Sequence, residues 1–294
     1  SSGPNLSVKQ LALVPKMVTK LDLSEYHVMN MEMYGGQKML ELVKTLPKDL
    51  TWLSMPDFFA EDSCVPLLPV KLTYLKLNSS RLSKKGLSAL PGDLQHLVLA
   101  NDTSLSGDQF AFLPRDLLTF SISVGPQIAI MADCLSLLPP RLTHLTLKAR
   151  MTVGNSAIAR LPSGLEHLHL PLAALIDDGE LVRFNLPALI SSFSILSIPS
   201  SLMEEALRAL PATLKSFAMF DASNLDSTKL DLLPRHLTSL TLKKASLLSG
   251  SALRDVSPSL TRLVFSGFHS AYNLHSNLPR NIRYLDTGQT DISI

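Results

Sequence analysis

Histidine side chains offer the most versatile chemistry in this sequence. Four of the eight, His96, His144, His167 and His169, lie in segments that alternate apolar and polar residues as strands do. His144, His167 and His169 would lie on neighbouring strands, where three imidazoles could converge on a metal ion such as zinc. Since no carboxylate or cysteine joins them, we predict no metal site. A pH-sensitive contact is the better interpretation, because imidazoles titrate near neutrality.

No catalytic group is predicted elsewhere in the chain. The sequence contains no phosphate-binding loop, no dinucleotide-binding fingerprint, no H-E-x-x-H and no G-x-S-x-G. Its carboxylates are scattered along the chain, with Asp177 and Asp178 the only adjacent aspartates, and solvated turns explain them. Because nothing assembles a nucleophile, a base and an orienting group, we expect neither an enzyme nor a cofactor.

The composition is that of a folded chain with little net charge. Of 294 residues, 46% are hydrophobic and 18% charged, with 27 Lys+Arg against 25 Asp+Glu. Such a chain is too apolar for disorder, and it lacks the basic stripe that binds nucleic acid. It has no run of about 18 uncharged apolar residues, so no membrane insertion is expected. Leucine accounts for 60 residues, and this excess, spread along the chain, predicts a repeat.

Prolines mark the register of that repeat. Eleven prolines open the pattern P-x-x-L-x-x-L-x-L, with Ile, Val, Phe or Met allowed at the Leu sites and Thr287 at the last site of the Pro279 unit. A twelfth, Pro258, stands one residue short of the pattern, and successive members lie 21 to 32 residues apart. The twelve are Pro15, Pro47, Pro69, Pro91, Pro114, Pro139, Pro162, Pro187, Pro211, Pro234, Pro258 and Pro279.

Each unit combines one strand with one short helical turn. Paired residues such as Leu75 and Leu77 alternate as in a strand and point to one buried side. Segments 83–91, 106–114 and 201–211 begin with a capping Ser, carry helically spaced apolar residues and stop at Pro. Such a unit cannot bury its leucines alone, so parallel copies must stack into an α/β solenoid.

The units resemble leucine-rich repeats, whose pattern is L-x-x-L-x-L-x-x-N/C-x-L. The resemblance runs from about Leu11 to Thr287 and implies about 12 parallel strands on a concave face, with short helices or turns on the convex face. We predict one domain over 1–294: a first repeat with an irregular insert over 11–46, regular repeats over 46–287 and a short tail over 288–294.

The leading Leu-Pro is similar to the short repeats of bacterial effector proteins and to FNIP repeats. The Phe-Asn-Ile-Pro signature is absent, however, and the units are longer than the bacterial ones. Where most leucine-rich repeats place Asn, this chain has Ser80, Asp102, Arg150, Ala173 or Ala245. We therefore expect water, Ser/Thr side chains or altered turns to satisfy the backbone there, with irregular bends.

Cysteines and sequons bear on localisation. Cys64 and Cys134 each precede a register Pro by five residues, a position that other units fill with buried apolar residues, so small buried thiols are expected. The cysteine-rich caps of extracellular members of the resembled family are missing, which favours an intracellular, cytoplasmic location. Three N-glycosylation sequons, at Asn5, Asn78 and Asn101, point to the outside instead.

The positions between the leucines carry the functional prediction. We call the residues directly before the second Leu of each unit the outer column. It reads Lys20, Trp52, Tyr74, His96, Thr119, His144, His167, Ser192, Ser216, Ser239, Arg262 and Tyr284. Its first half holds the only Trp and most of the aromatic rings, and large rigid side chains are typical interface anchors. The predicted partner-binding residues on the concave face are Trp52, Tyr74, Lys76, His96, His144, Lys148, His167 and His169.

A non-enzymatic protein-interaction scaffold, gripping a protein partner on its concave face, is the primary functional prediction. A structural subunit is an alternative, because four Met between Met29 and Met39 could form an adaptable contact patch and the stack could continue, or form an oligomer, through the C-terminal end. An extracellular receptor or glycan-binding ectodomain is another. The resemblance alone adds the substrate-recognition part of a ubiquitin-ligase system.

Overall fold

A computed structural model describes most of the chain as two compact units. The described residues are 5–6, 8–24, 27–28, 40–55, 60–78, 80–102, 105–124, 132–176, 185–267 and 277–288. Unit 1 comprises Ser1–Ile130 and Leu137–Ala149, and unit 2 comprises Met131–Ser136 and Arg150–Ile294. That the chain forms a single domain stays a prediction. The Met-rich segment, Asp177, Asp178 and the side chains of Asn5, Asn78 and Asn101 lie outside what is described.

Unit 1 is built on parallel strands that pair in chain order. Within its described residues these are β1 Lys20–Asp22, β2 Trp52–Met55, β3 Tyr74–Asn78, β4 His96–Asp102, β5 Thr119–Val124 and β6 His144–Lys148. Two shorter parallel pairs join Asn5–Leu6 to His27–Val28 and Ala60–Glu61 to Ser80–Arg81.

Unit 2 repeats the same arrangement. Its described strands are β7 Met151–Val153, β8 His167–Leu175, β9 Ser192–Ser197, β10 Ser216–Met219, β11 Ser239–Leu242, β12 Arg262–Phe265 and β13 Tyr284–Asp286. Strands β8 to β13 pair in parallel and in chain order, while β7 pairs with β8. The twelve predicted parallel strands, β1–β6 and β8–β13, are thereby confirmed.

Short helices separate the strands. The α-helices are Val8–Leu11, 40–45, Lys84–Ser88, Asn155–Ile158 and Ser200–Arg208, and the 3₁₀ helices are Val65–Leu67, Gly107–Phe112, Ala132–Leu137, Ser227–Leu232 and Gly250–Asp255. The predicted cap at Ser83 is confirmed, since its hydroxyl accepts the Lys85 N–H at 3.1 Å. The third predicted helix starts one residue early, at Ser200, and Pro199 precedes it without a capping side chain. No helix in the described residues is long and apolar enough to cross a bilayer.

The proline motif forms the turn that leads into each strand. The carbonyl of the register Pro accepts the N–H of the Leu three residues later, as in Leu72 to Pro69 at 3.3 Å and Leu94 to Pro91 at 3.2 Å. In the unit where Pro258 is one residue short, Ser257 takes the turn position and accepts from Leu260 at 3.1 Å. The turn therefore keeps its place even where the proline does not.

Side-chain hydroxyls fasten several of the strands to the preceding unit. Thr73 donates its hydroxyl to the Thr51 carbonyl at 3.1 Å. That carbonyl also accepts the N–H groups of Thr73 and Tyr74. The same hydroxyl bond recurs from Thr51, Thr143, Ser191, Thr238 and Thr261 to carbonyls of their preceding units. Each bond joins two repeats at the point where their strands begin.

At Ala245, one of the positions without Asn, an altered turn satisfies the backbone. Ala245 is buried, and its N–H donates to the Ser266 carbonyl at 2.8 Å. Lys244 takes a left-handed φ of 55°, and Gly267 takes 83°. A Cβ added at Gly267 would lie 2.9 Å from the Cα of Lys244. The two left-handed residues therefore pack closely, and only glycine fits at the second.

Gly267→Ala should lower the free energy of unfolding by about 1–3 kcal/mol, because alanine meets both a left-handed backbone and the Lys244 backbone. Gly92→Ala is the matched control, since a Cβ there meets nothing within 4 Å. It should change stability by less than about 0.5 kcal/mol. Urea unfolding followed by circular dichroism measures both, and equal stabilities of the two variants would contradict the assignment.

Candidate functional site

The outer column follows the predicted register in both units. In unit 1 the Cα partners are Lys20 with Trp52, Trp52 with Tyr74, Tyr74 with His96, His96 with Thr119 and Thr119 with His144. In unit 2 His167 aligns with Ser192, and the column continues through Ser216, Ser239 and Arg262 to Tyr284. Side chains that are more than 20 residues apart in sequence are therefore direct neighbours.

Three rings of unit 1 form a continuous stack, which we call the aromatic ladder: Trp52, Tyr74 and His96. The centroids of Trp52 and Tyr74 are 4.7 Å apart and their planes differ by 11°. Tyr74 and His96 lie 6.2 Å apart with a tilt of 38°. All three are half-buried, while the Leu between them in the alternation, such as Leu53 and Leu75, are fully buried. The ladder therefore lies on the side of the strands opposite the core.

The ladder ends in a hydrogen bond. The Nδ1 atom of His96 contacts the hydroxyl of Thr119, the next residue of the outer column. This bond orients the imidazole ring. It can form whether or not Nδ1 carries a proton, because the threonine hydroxyl can either donate or accept. The rings are thus held by ring stacking on one side and by a polar contact on the other.

A row of polar residues runs beside the ladder on the same strands: Asp22, Ser54 and Lys76. The Ser24 backbone N–H donates to the Asp22 carboxylate at 2.9 Å and, with the Ser24 and Ser54 hydroxyls and Lys76, holds the pKa of Asp22 below its usual value. Burial raises the pKa of the Tyr74 hydroxyl, and the Asp22 charge raises it further. Ser54 is 2% exposed, so the ladder and its flanking charges leave it no access to solvent.

The remaining predicted residues of unit 1 lie further along the sheet. His144 is exposed, and its Nδ1 atom lies 2.9 Å from the Thr143 hydroxyl. Lys148 is exposed at the end of β6, opposite Ser123 of β5. Thr119 separates His144 from the ladder, so neither residue contacts the three rings directly through the column.

His167 and His169 belong to unit 2. Their rings are 6.5 Å apart, and the Nδ1 atom of His169 lies 3.1 Å from the Ser194 hydroxyl. No group of three His, Cys, Asp or Glu within the described part of the chain is arranged to hold a metal ion. Further along this unit the Arg262 guanidinium lies 3.9 Å from the Tyr284 ring centroid, a cation–π contact that the sequence analysis did not single out.

Asp22, Ser54 and Thr119 are neighbours of the ladder that are not among the predicted partner-binding residues. All three occupy outward positions of the strand alternation, so the register of the columns could have identified them. They were missed because a single Ser, Thr or Asp on a strand carries no signal of its own. Their contacts depend on residues 22 to 32 positions away in the chain.

The two cysteines are buried in the helical segments, as predicted. Cys64 is 2% exposed and Cys134 is 3% exposed. Burial raises the pKa of the Cys134 thiol to about 12, with the neighbouring Asp133 charge adding to the effect, and burial also raises the pKa of Cys64. Both thiols are therefore neutral at physiological pH and make poor nucleophiles.

Solved structures with the same architecture have low sequence identity to this chain. A chain of the yeast Rad7–Elc1 complex matches at a TM-score of 0.64 and 17% identity, covering 98% of this chain and 80% of its own. The functional domain of InlJ from Listeria monocytogenes matches at 0.56 and 16%, covering 94% and 59%. The leucine-rich repeat-containing protein LegL7 from Legionella pneumophila has a TM-score of 0.49 and 16% identity, covering 94% and 97%.

The fold is a leucine-rich-repeat α/β solenoid. Parallel strands with a buried L-x-L pair alternate with short helices in both units, and the structural matches share this architecture. No protein-family model matches the sequence, and no curated protein matches it. The comparisons therefore establish the fold of the chain.

Stacking of Trp52 on Tyr74 should be measurable as a coupling energy. In a double-mutant cycle with Trp52→Leu and Tyr74→Leu, we expect a coupling of about 0.5–1.5 kcal/mol, the range for paired aromatic rings. The pair Trp52→Leu and Thr119→Val, three strands apart, is the control and should be additive within about 0.5 kcal/mol. Because Trp52 is the only Trp, Tyr74→Leu should also shift the emission of the folded protein to longer wavelength. Additive effects and unchanged emission would show that the rings do not stack.

The thiols should resist modification in the folded protein. At pH 8 we expect neither Cys64 nor Cys134 to react with a disulfide reagent over minutes, because both are buried and protonated. Both should react at once in denaturant, which serves as the control for the reagent. A native protein that releases two equivalents at the denatured rate would overturn the placement of these residues.

Proposed function

We infer that this chain is a protein-binding scaffold whose contact surface is the aromatic ladder of unit 1. The observation that carries the inference is a row of three half-buried rings, two of them nearly parallel, on the face of the strands that the core does not use. The stack has already lost much of its side-chain freedom, so a partner that covers it loses little further entropy. Trp and Tyr are also the residues that most often dominate binding energies.

The ring geometry favours a protein over a glycan. Tyr74 has Trp52 on one side and His96 on the other, so its faces are already used in stacking. A sugar binds an aromatic ring by lying on its face, whereas protein side chains also pack against ring edges. Asp22 and Lys76 flank the rings and present both signs of charge. The partner surface should therefore be apolar at its centre, with polar groups of both signs around it.

The fold is compatible with this role. The yeast chain that matches with a TM-score of 0.64 was solved in a complex of Rad7 with Elc1, so the same architecture takes part in a protein assembly there. Lys76, His144 and Lys148 would extend the contact surface of unit 1. For unit 2, His167 and His169 stay predicted contact residues. The likeness to effector-type or FNIP-type repeats and the intracellular location stay predictions.

A comparative capture experiment tests the proposal. Wild-type protein and the double variant Trp52→Ala/Tyr74→Ala are immobilised, and proteins retained from the native source are identified by mass spectrometry. A true partner should be retained by the wild type and lost from the variant. Its purified form should bind the variant at least about 30-fold more weakly, which corresponds to the 2 kcal/mol of a binding hot spot.

Ser216→Ala/Ser239→Ala is the matched control, because these residues occupy the same outer column in unit 2. This variant should retain the partner fully. Circular dichroism and urea unfolding should show that all three proteins are folded. The same set of proteins retained by the wild type and by the ladder variant would refute a binding role for the ladder.

A further inference from the structure

A polar cavity of about 540 Å³ lies in unit 2, away from the strand face that carries the outer column. The 3₁₀ helix Ser227–Leu232 supplies Ser227, Thr228 and Asp231 to its lining. Two arginines, Arg235 and Arg254, and two apolar residues complete it. The volume is in the range of small-molecule sites, and no residue of the aromatic ladder takes part.

Buried polar residues hold both arginines in place. Arg254 donates from Nε at 3.2 Å and from Nη2 at 2.8 Å to the Oδ1 atom of Asn277, which is 5% exposed. The hydroxyl of Ser257, 3% exposed, donates to the backbone carbonyl of Arg235 at 2.6 Å. The first pair of bonds orients the Arg254 guanidinium before any ligand arrives, whereas the second bond anchors only the backbone of Arg235.

Both arginines retain donors that the described residues do not use. Within that part of the chain, the Arg235 side chain makes no ion pair or hydrogen bond, and Nη1 of Arg254 has no partner. A guanidinium offers five N–H donors and no acceptor, so two of them beside one cavity require an acceptor-rich anion. Asp231 is the only carboxylate among the lining residues, which leaves an excess of one positive charge.

We propose that this cavity binds a phosphate monoester. Its oxygens accept hydrogen bonds from Arg235 and Arg254, the strongest pairing available to a guanidinium. Asp231 repels a fully ionised anion but accepts a hydrogen bond from a protonated phosphate oxygen. A monoester has its second pKa near about 6, so it carries that proton under mildly acidic conditions, whereas sulfate does not. The carboxylate thus selects phosphate over sulfate.

Isothermal titration calorimetry at about pH 6, where a monoester is half protonated, tests the proposal with three probes. These are capped phosphoserine, inorganic phosphate and sulfate. Wild-type protein should bind both phosphates and bind sulfate at least about tenfold more weakly. Arg235→Gln should weaken phosphate binding at least about tenfold, the loss expected for one charged hydrogen bond. Asp231→Asn should strengthen sulfate binding and remove the preference.

Arg280→Gln is the matched control, because it removes the same charge as Arg235→Gln. Like Arg235, Arg280 follows a register Pro and is exposed, but it does not line the cavity. It should leave binding unchanged. A tenfold tighter affinity for capped phosphoserine than for inorganic phosphate would identify a phosphorylated protein segment as the ligand. Equal affinities would identify a free phosphate as the ligand. No binding of either phosphate, equal binding of sulfate by the wild type or an equal loss in Arg280→Gln would overturn the proposal.

Discussion

Contact between the leucines of successive repeats is the interaction on which the rest of the structure depends. Leu53, Leu75 and Leu97 come from three different units, and each is completely buried. None of them could be buried within its own unit, which has one strand and one short helix. Losing one such side chain to alanine costs about 2–5 kcal/mol in well-packed cores. The stability of each repeat is therefore largely a property of its neighbours.

That dependence requires a fixed register, because a shift of one residue would turn every buried leucine toward solvent. The chain secures the register where each strand begins. The proline turn sets the first hydrogen bond, and in several units a Thr or Ser hydroxyl then joins the new strand to a carbonyl of the preceding unit. Ser257 shows that the turn is the essential feature, since it holds the position that proline holds elsewhere.

Outward positions are free of these constraints, and the two units use them differently. Unit 1 places Trp52, Tyr74 and His96 next to one another, and unit 2 fills the same column largely with Ser. The rings of unit 1 stabilise one another by stacking along the column. The proposed phosphate site is of a second kind and lies on the helical side, where Arg235, the residue after a register Pro, lines a cavity. The two sites thus lie in different repeats, one on the strands of unit 1 and one on the helical segments of unit 2.

The amino-acid sequence by itself determined the architecture and the alignment of the strands to the residue. It could do so because the Leu and Pro positions recur along the chain, so that each repeat independently reports the same local rule. That Trp52 and Tyr74 are neighbours follows from this alignment alone. The buried state of both cysteines followed as well, since their place in the repeat is shared with apolar residues.

The tertiary structure alone decided what these neighbours do to one another. Nothing in the sequence indicates that Trp52 and Tyr74 lie nearly parallel at 4.7 Å or that Asn277 holds Arg254. Nor does anything in it indicate that Thr and Ser hydroxyls before several strands bond to carbonyls of the preceding units. Periodicity fixes which side a residue faces, whereas rotamers, ring planes and hydrogen bonds depend on side chains about 20 or more residues away that meet only when the repeats stack.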